Sequence, residues 1–141
     1  MKKVLTIAGS DSSGGAGIQA DLKTFCAHKV YGMSVITAVT AQNTLGVSHI
    51  ETLSSFSVRK QIEAVAEDIE IDAVKIGMLS NAEIILTVAE LIKRYKFKNI
   101  VLDPVMISTT GFDLLEKDAK EALIQEFLPL ADVIIPNLHE E

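Results

Sequence analysis

The first residues whose types and spacing could do chemistry lie in a glycine-rich turn. Ile7-Ala-Gly-Ser-Asp-Ser-Ser-Gly-Gly-Ala-Gly-Ile-Gln-Ala-Asp21 leaves an apolar run, Val4 to Ala8, and enters a loop holding Ser10, Asp11, Ser12 and Ser13, then Gly14, Gly15 and Gly17. Ile18, Leu22 and Phe25 follow at the spacing of a helix face. The stretch reads as strand, turn and helix, with the strand stopping at Gly9 and Ser12 or Ser13 as the N-cap. Glycines admit positive φ and let a ligand approach the main chain, and a helix N-terminus aims free N–H groups at the same spot. From the residues alone this is either an anion cradle or a tight βα turn that needs glycine for its geometry. It lacks the Gly-Lys-Ser/Thr ending of a Walker A loop and the Gly-x-Gly-x-x-Gly spacing of a dinucleotide loop.

Further polar residues stand where apolar runs end. Gln42-Asn43-Thr44 follow the β-branched run Met33 to Thr40, and Gly77-Met78 close the run that starts at Ala73. Asp103-Pro104-Val105-Met106 follow Ile100-Val101-Leu102, and Asn137 and Glu140 follow Asp132 to Pro136. Carboxylates, carboxamides and small residues suit a metal-bound phosphate donor and a small polar substrate, a chemistry of positioning rather than of a protein nucleophile.

These residues meet only if the strands run one way. His28 to Gly32 closes the first helix with a basic last turn and a glycine stop. Met33 to Thr40 suits a strand buried on both faces and opening into a polar loop over 41–46. A short edge strand is expected around Ser48 to Leu53. Val58, Ile62, Val65, Ala66 and Ile69 predict a helix over 57–70. Ser80 and Glu83 form a capping box ahead of a helix bearing Ile84, Ile85, Val88, Leu91, Ile92 and Tyr95. Ala119, Ala122, Leu123 and Phe127 predict a helix over 116–128. Repeated βα units with short, continuously apolar strands imply one three-layer αβα domain over residues 1–141 with a mostly parallel sheet. Right-handed crossovers then bring the strand carboxyl ends to one edge, where open sheets bind ligands.

Composition narrows the classes. The chain of 141 residues can bury a sizeable core, and its net charge of −6 argues against nucleic-acid and anionic-membrane binding. Met1-Lys2-Lys3 leads straight into a strand, with no signal-peptide pattern and no apolar run of the roughly 20 residues a membrane span needs, so a cytoplasmic location is expected. Cys26 has no second cysteine to pair with and no arranged base, which makes it a packed or idle thiol. His28, His49 and His139 show no metal-ligand spacing.

The segment Val4-Leu-Thr-Ile-Ala-Gly-Ser-Asp-Ser-Ser-Gly-Gly-Ala-Gly-Ile-Gln-Ala-Asp-Leu-Lys23 resembles the opening of the hydroxymethylpyrimidine and phosphomethylpyrimidine kinases of thiamine biosynthesis. These belong to the ribokinase-like superfamily, with the pyridoxal kinases. Ala38 to Thr44, Asp72 to Met78, Leu102 to Met106 and Pro136 to Glu140 resemble further segments in the family's order, so the resemblance runs from Val4 to Glu141. It implies that the glycine loop lines the substrate and that the phosphate hole lies elsewhere, against the anion-cradle reading. It further implies a pyrimidine pocket of Gly9, Asp21, Gln42, Met78 and Val105. Asn137 and Glu140 would place Mg²⁺ and the nucleotide phosphates, with Asp103 beside the same phosphates.

The residues alone leave other roles open. Met78 and Val105 also fit core packing, Asp21 an exposed helix position, Gln42 a solvated loop and Asp103 a strand-end turn. Ile107-Ser108-Thr109-Thr110-Gly111 stands where many relatives carry a lysine before Ser-Gly, so no cationic phosphate contact is assigned there. Family members are longer, and their second half carries the Gly-Thr-Gly anion hole, the catalytic base and most of the nucleotide-base pocket. The implied function is ATP- and Mg²⁺-dependent phosphorylation of hydroxymethylpyrimidine and its monophosphate by a cytoplasmic homodimer. This chain would be the substrate-pocket half of a ribokinase-like domain truncated on its C-terminal side, and inactive alone. A pyridoxal or pyridoxine kinase and a non-catalytic half-domain are the other readings.

Overall fold

The computed structural model of the protein describes residues 1–104 and 117–135. Within them the chain forms β1 (Lys3–Asp11), α1 (Gly17–Ala27), β2 (Tyr31–Asn43), β3 (Gly46–Thr52), α2 (Ser55–Ala66), β4 (Ala73–Ile76), α3 (Ala82–Arg94), β5 (Ile100–Leu102), α4 (Lys117–Ala122) and β6 (Val133–Ile134). The strands make one sheet of order β3-β2-β1-β4-β5-β6. Every neighbouring pair is parallel except β2 and β3.

Apolar strand residues need cover on both faces, and the two faces are covered differently. Leu5, Ile7, Val35, Val74 and Ile76 share a buried core with Val58 and Ile62 of α2, six residues' worth of the α3 face from Ile84 to Ile92, and Ala119 of α4. On the opposite face a Cβ added to Gly32 would stand 2.9–3.0 Å from Phe25 and Leu22 of α1, so the helix lies directly on that strand. The fold is therefore αβα, as the βα repetition implies. The chain steps from β1 to β2 across α1, then returns over the other face to β4. This reversal makes the gap between the carboxyl ends of β1 and β4 the topological switch point, where open α/β sheets bind ligands.

Several boundaries differ from the sequence expectation, each for a local reason. β1 does not stop at Gly9 but continues to Asp11, with a register shift against β2 between Ala8 and Ser10. Neither Ser12 nor Ser13 caps α1; Ala16 occupies that position without a side-chain bond. Gly32 does not stop α1, because Lys29 takes the left-handed conformation at φ 58°. Val30 N–H then donates to Phe25 O (3.1 Å) and Lys29 N–H to Cys26 O (3.0 Å), the paired closure of a Schellman turn. Cys26 itself is exposed.

β2 outruns its apolar run because residues 41–43 pair with β3 in a hairpin, so the expected loop is strand and the expected edge strand starts earlier, at Gly46. α2 starts at Ser55, where Ser54 Oγ accepts from Ser57 N–H, and it ends at Ala66 rather than at residue 70. The cap of α3 is Asn81, whose Oδ1 accepts from Ile84 N–H at 2.9 Å, and not Ser80. The helix expected over 116–128 is α4 followed by a π-helical turn, Leu123–Phe127, and a 3₁₀ turn, Leu128–Leu130. Glu116 and Pro136 lie outside the described residues.

Ser80 carries the cost of the tight β4–α3 connection. Its φ is 71°, and its buried Oγ has no hydrogen-bond partner among the described residues. Glycine tolerates that conformation and removes the orphaned hydroxyl, at some cost in unfolded-state entropy. Ser80→Gly should therefore raise stability by about 1 kcal/mol. Urea unfolding would read this as a higher midpoint at unchanged slope; a lower midpoint would mean the hydroxyl is satisfied in solution.

Candidate active site

The switch point is built outward from Asp11, the last residue of β1 and 3% exposed. One carboxylate oxygen accepts from Ser13 N–H and Ser13 Oγ, both at 2.8 Å. The other accepts from Gly15 N–H (3.0 Å) and Ala16 N–H (2.7 Å). Burial pushes the Asp11 pKa up, but the Ser13 side-chain bond and the backbone bonds from Ser13, Ala16 and Gly15 outweigh it. The carboxyl is held below its ordinary 3.8. Amides that would be orphaned before α1 are thus satisfied by a strand-end carboxylate instead of a cap on the helix itself.

The fixed loop then grips its surroundings. Ser12 Oγ donates to Gln42 O (2.8 Å) and accepts from Gln42 N–H (2.9 Å), tying the loop to β2 at a register shift between Ala41 and Gln42. Gln19 of α1 accepts from Asp11 N–H and donates to Ser10 Oγ, each at 2.8 Å. Thr40 Oγ1 lies 2.8 Å from Ser10 O and 3.2 Å from Gln42 Oε1. A hydroxyl has one proton, and the shorter contact takes it. The Gln42 carboxamide is therefore only lightly held, and its NH₂ group has no partner among the described residues. Gly17, at φ 59°, sits where any Cβ would collide with the Gly9 carbonyl.

The floor comes from β1 and the residues after β4. Met78 is buried, its carbonyl accepts from Thr37 Oγ1 at 2.6 Å, and its Cε fills the space a Gly9 side chain would need. Deeper on the α1 face, Asp21 Oδ2 accepts from Thr6 Oγ1 (2.6 Å) and from Lys75 Nζ (3.0 Å). Asp103, half-buried, follows β5 and donates its N–H to Ile76 O at 2.8 Å.

Gly9 and Met78 are in contact, and Gln42 is bonded to the loop that follows them. Asp21 joins them from below through Lys75, whose Nζ lies 3.2 Å from where a Gly77 Cβ would stand. Asp103 is on the same edge, one strand further out. Gln42 lies in β2 and not in a loop, and Asp21 is not an exposed helix residue, its side chain being 15% exposed. Val105, Asn137, Glu140 and the segment 107–111 lie outside the described residues. Asp11, Gln19, Thr40 and Lys75 belong to this constellation, although the sequence placed Asp11 only among the polar loop residues and gave the other three no role. Two of them had a signal: Asp-x-Ser is an Asx-turn pattern, and a lysine inside an apolar strand needs a carboxylate opposite.

No helix of the described residues is long and apolar enough to cross a membrane. Among the same residues, no group of three or more His, Cys, Asp or Glu is placed to hold a metal.

Residues 11–141 match the family model described as phosphomethylpyrimidine kinase. The chain is 58% identical over 140 residues to the hydroxymethylpyrimidine/phosphomethylpyrimidine kinase of Haemophilus influenzae, covering 99% of this chain and 52% of the relative. It superposes on the crystal structure of a phosphomethylpyrimidine kinase from Clostridium difficile 630 with a TM-score of 0.93 at 61% identity, covering 99% of this chain and 61% of that one. The pyridoxal kinase of Staphylococcus aureus in complex with AMP-PCP and pyridoxal gives a TM-score of 0.86 at 41% identity, over 99% of this chain and 49% of the other. The chain spans about half the length of the curated relatives it matches.

The Asp11 cradle gives a pH-dependent expectation. A carboxyl whose native pKa is depressed contributes stability that is complete above its unfolded value and lost as pH falls through the native value. Asp11→Ala should cost on the order of 2–4 kcal/mol at neutral pH by orphaning several amides. The gap between the two proteins should narrow below the ordinary value of 3.8. Urea titrations at neutral pH and near pH 3 check this; a gap independent of pH would remove the charge from the argument.

Proposed function

The chain belongs to the phosphomethylpyrimidine kinase family, and from this we propose that the complete protein phosphorylates hydroxymethylpyrimidine, then its monophosphate, in thiamine biosynthesis. ATP with Mg²⁺ supplies the phosphoryl group. In this reading Gly9, Asp21, Gln42, Met78 and Val105 line the pyrimidine. Asp103, Asn137 and Glu140 stand beside the nucleotide phosphates, with Asn137 and Glu140 on the metal; their oxygens suit a hard cation. The substrate hydroxyl is the nucleophile, so the work of this chain is to bind and orient the alcohol and to exclude water. The base that takes the hydroxyl proton and the anion hole belong to the part of the protein beyond these residues. A cytoplasmic homodimer is part of the same proposal.

One observation carries the substrate assignment. The Gln42 carboxamide, with its NH₂ unengaged among the described residues, stands near the end of β2, whose main chain is bonded to the loop beside the Gly9–Met78 floor. A carboxamide offers a donor and an acceptor side by side, which matches an aminopyrimidine edge. Pyridoxal lacks the exocyclic amine and cannot complete that pair. Identity supports the same choice, at 58% and 61% to the pyrimidine kinases against 41% to the pyridoxal kinase.

Gln42→Met in the complete protein should weaken use of hydroxymethylpyrimidine about tenfold to a hundredfold, and of pyridoxal much less. Equal losses on both alcohols would sink the pyrimidine assignment. Glu140→Gln should raise the Mg²⁺ concentration needed for half-maximal turnover, and an unchanged requirement would take Glu140 out of the site. Residues 1–141 alone should show no turnover and should self-associate through Val133, Ile134 and Ile135, which are 41–54% exposed. Sedimentation and an ATP-coupled assay test both halves of that statement.

A further inference from the structure

We propose that Lys75 is a positioning residue for substrate recognition. With Thr6 it pins one oxygen of Asp21, so that the other is presented to the amine of the bound pyrimidine. The inference rests on the reading of Asp21 as a substrate contact. Lys75 lies in β4 between the buried Val74 and Ile76, and its side chain is 22% exposed against 15% for Asp21. A half-buried ion pair is costly to desolvate and is a poor source of stability, where an aliphatic residue would pack against α1 as well. The geometry gives the pair a use. Both donors, Thr6 Oγ1 at 2.6 Å and Lys75 Nζ at 3.0 Å, fall on Oδ2, and Oδ1 has no partner among the described residues.

The pair is also continuous with the floor of the site. A Cβ on Gly77 would stand 3.2 Å from Lys75 Nζ and 2.9 Å from Ala8 Cβ, so the ammonium lies beneath the residue that precedes Met78. An acceptor fixed in this way loses little rotamer freedom when the ligand arrives. The same two donors on Oδ2 stop the carboxylate from turning its open oxygen away.

The test uses the complete protein, with Lys75→Met, Asp21→Asn, the double variant and Thr6→Val. KM is measured for hydroxymethylpyrimidine at saturating ATP and for ATP at saturating pyrimidine, and each variant is melted. Lys75→Met should raise KM for the pyrimidine about tenfold to a hundredfold and leave KM for ATP within about twofold. Adding it to Asp21→Asn should change KM by less than about threefold more, because the two act through one oxygen. Should Lys75→Met not fold, Thr6→Val must shift the pyrimidine KM in the same direction without moving that for ATP. An unchanged pyrimidine KM in Lys75→Met, or effects of Lys75 and Asp21 that multiply independently, overturns the inference alone. A complete protein with no hydroxymethylpyrimidine turnover overturns the proposed function, and this inference with it.

Discussion

The structure of the switch point depends on how one buried carboxylate is satisfied. Asp11 ends β1 inside the protein, and an unpaired charge there would cost far more than the fold could spare. It is compensated entirely by the loop that follows it, through Ser13, Gly15 and Ala16. Those bonds dictate the loop's path, so the loop is not free to choose a conformation that suits α1 alone. α1 accordingly starts without a side-chain cap, and Ser12 is turned toward the main chain of Gln42. The end of β2 and the start of the hairpin are thus held by the same carboxylate, one bond removed.

The second constraint is volume. Gly9, Gly17 and Met78 come from β1, the start of α1 and the segment after β4, and they converge where no further Cβ fits. Close packing there fixes the distance of α1 from the sheet, and that distance decides what Asp21 can reach. At this separation its carboxylate meets Thr6 on β1 and Lys75 on β4. A bulkier residue at position 17 would push the start of the helix off the Gly9 carbonyl and separate the pair without touching either partner. The electrostatics of the α1 face are in this sense a consequence of glycine placement.

The architecture was legible in the sequence because periodicity and burial agree over long stretches. The strand Ile100–Leu102 and the apolar face of α3 stand as the pattern places them. What failed was choice among near-equivalents. Ser80 and Asn81 are both good caps, and only the tight turn after β4 decides that Asn81 takes the role. Gly32 resembles a helix stop, but the sheet needs it, because a side chain there would meet Phe25 and Leu22; the left-handed turn falls to Lys29 instead. β2 extends past its apolar residues because β3 supplies hydrogen bonds, information held in the register of Ala41 with His49 and its neighbours rather than in side-chain type. Gly9, Gln42 and Met78 were legible at one edge from the order of the apolar runs, and Asp21 was added only by the family resemblance. Their network was not, because Lys75 and Gln19 are ordinary surface types whose roles exist only once α1 is docked.

Charge compensation also separates the two sides of the proposed site. A carboxylate about 4 Å from a phosphate oxygen is opposed by roughly 4 kcal/mol at the effective dielectric of a protein surface. A crevice proposed to receive a nucleotide in a chain of net charge −6 cannot leave such groups bare. Asp11 is answered by amides and a hydroxyl, and Asp21 by an ammonium and a hydroxyl, all from within the fold. Both of these carboxylates lie on the β1 and α1 side, where the neutral pyrimidine is proposed to sit. The carboxylates assigned to the phosphate side, Asp103 and Glu140, follow β5 and β6. There the oxygens of Asp103 and Glu140 are proposed to share their work with a divalent cation that arrives with the nucleotide.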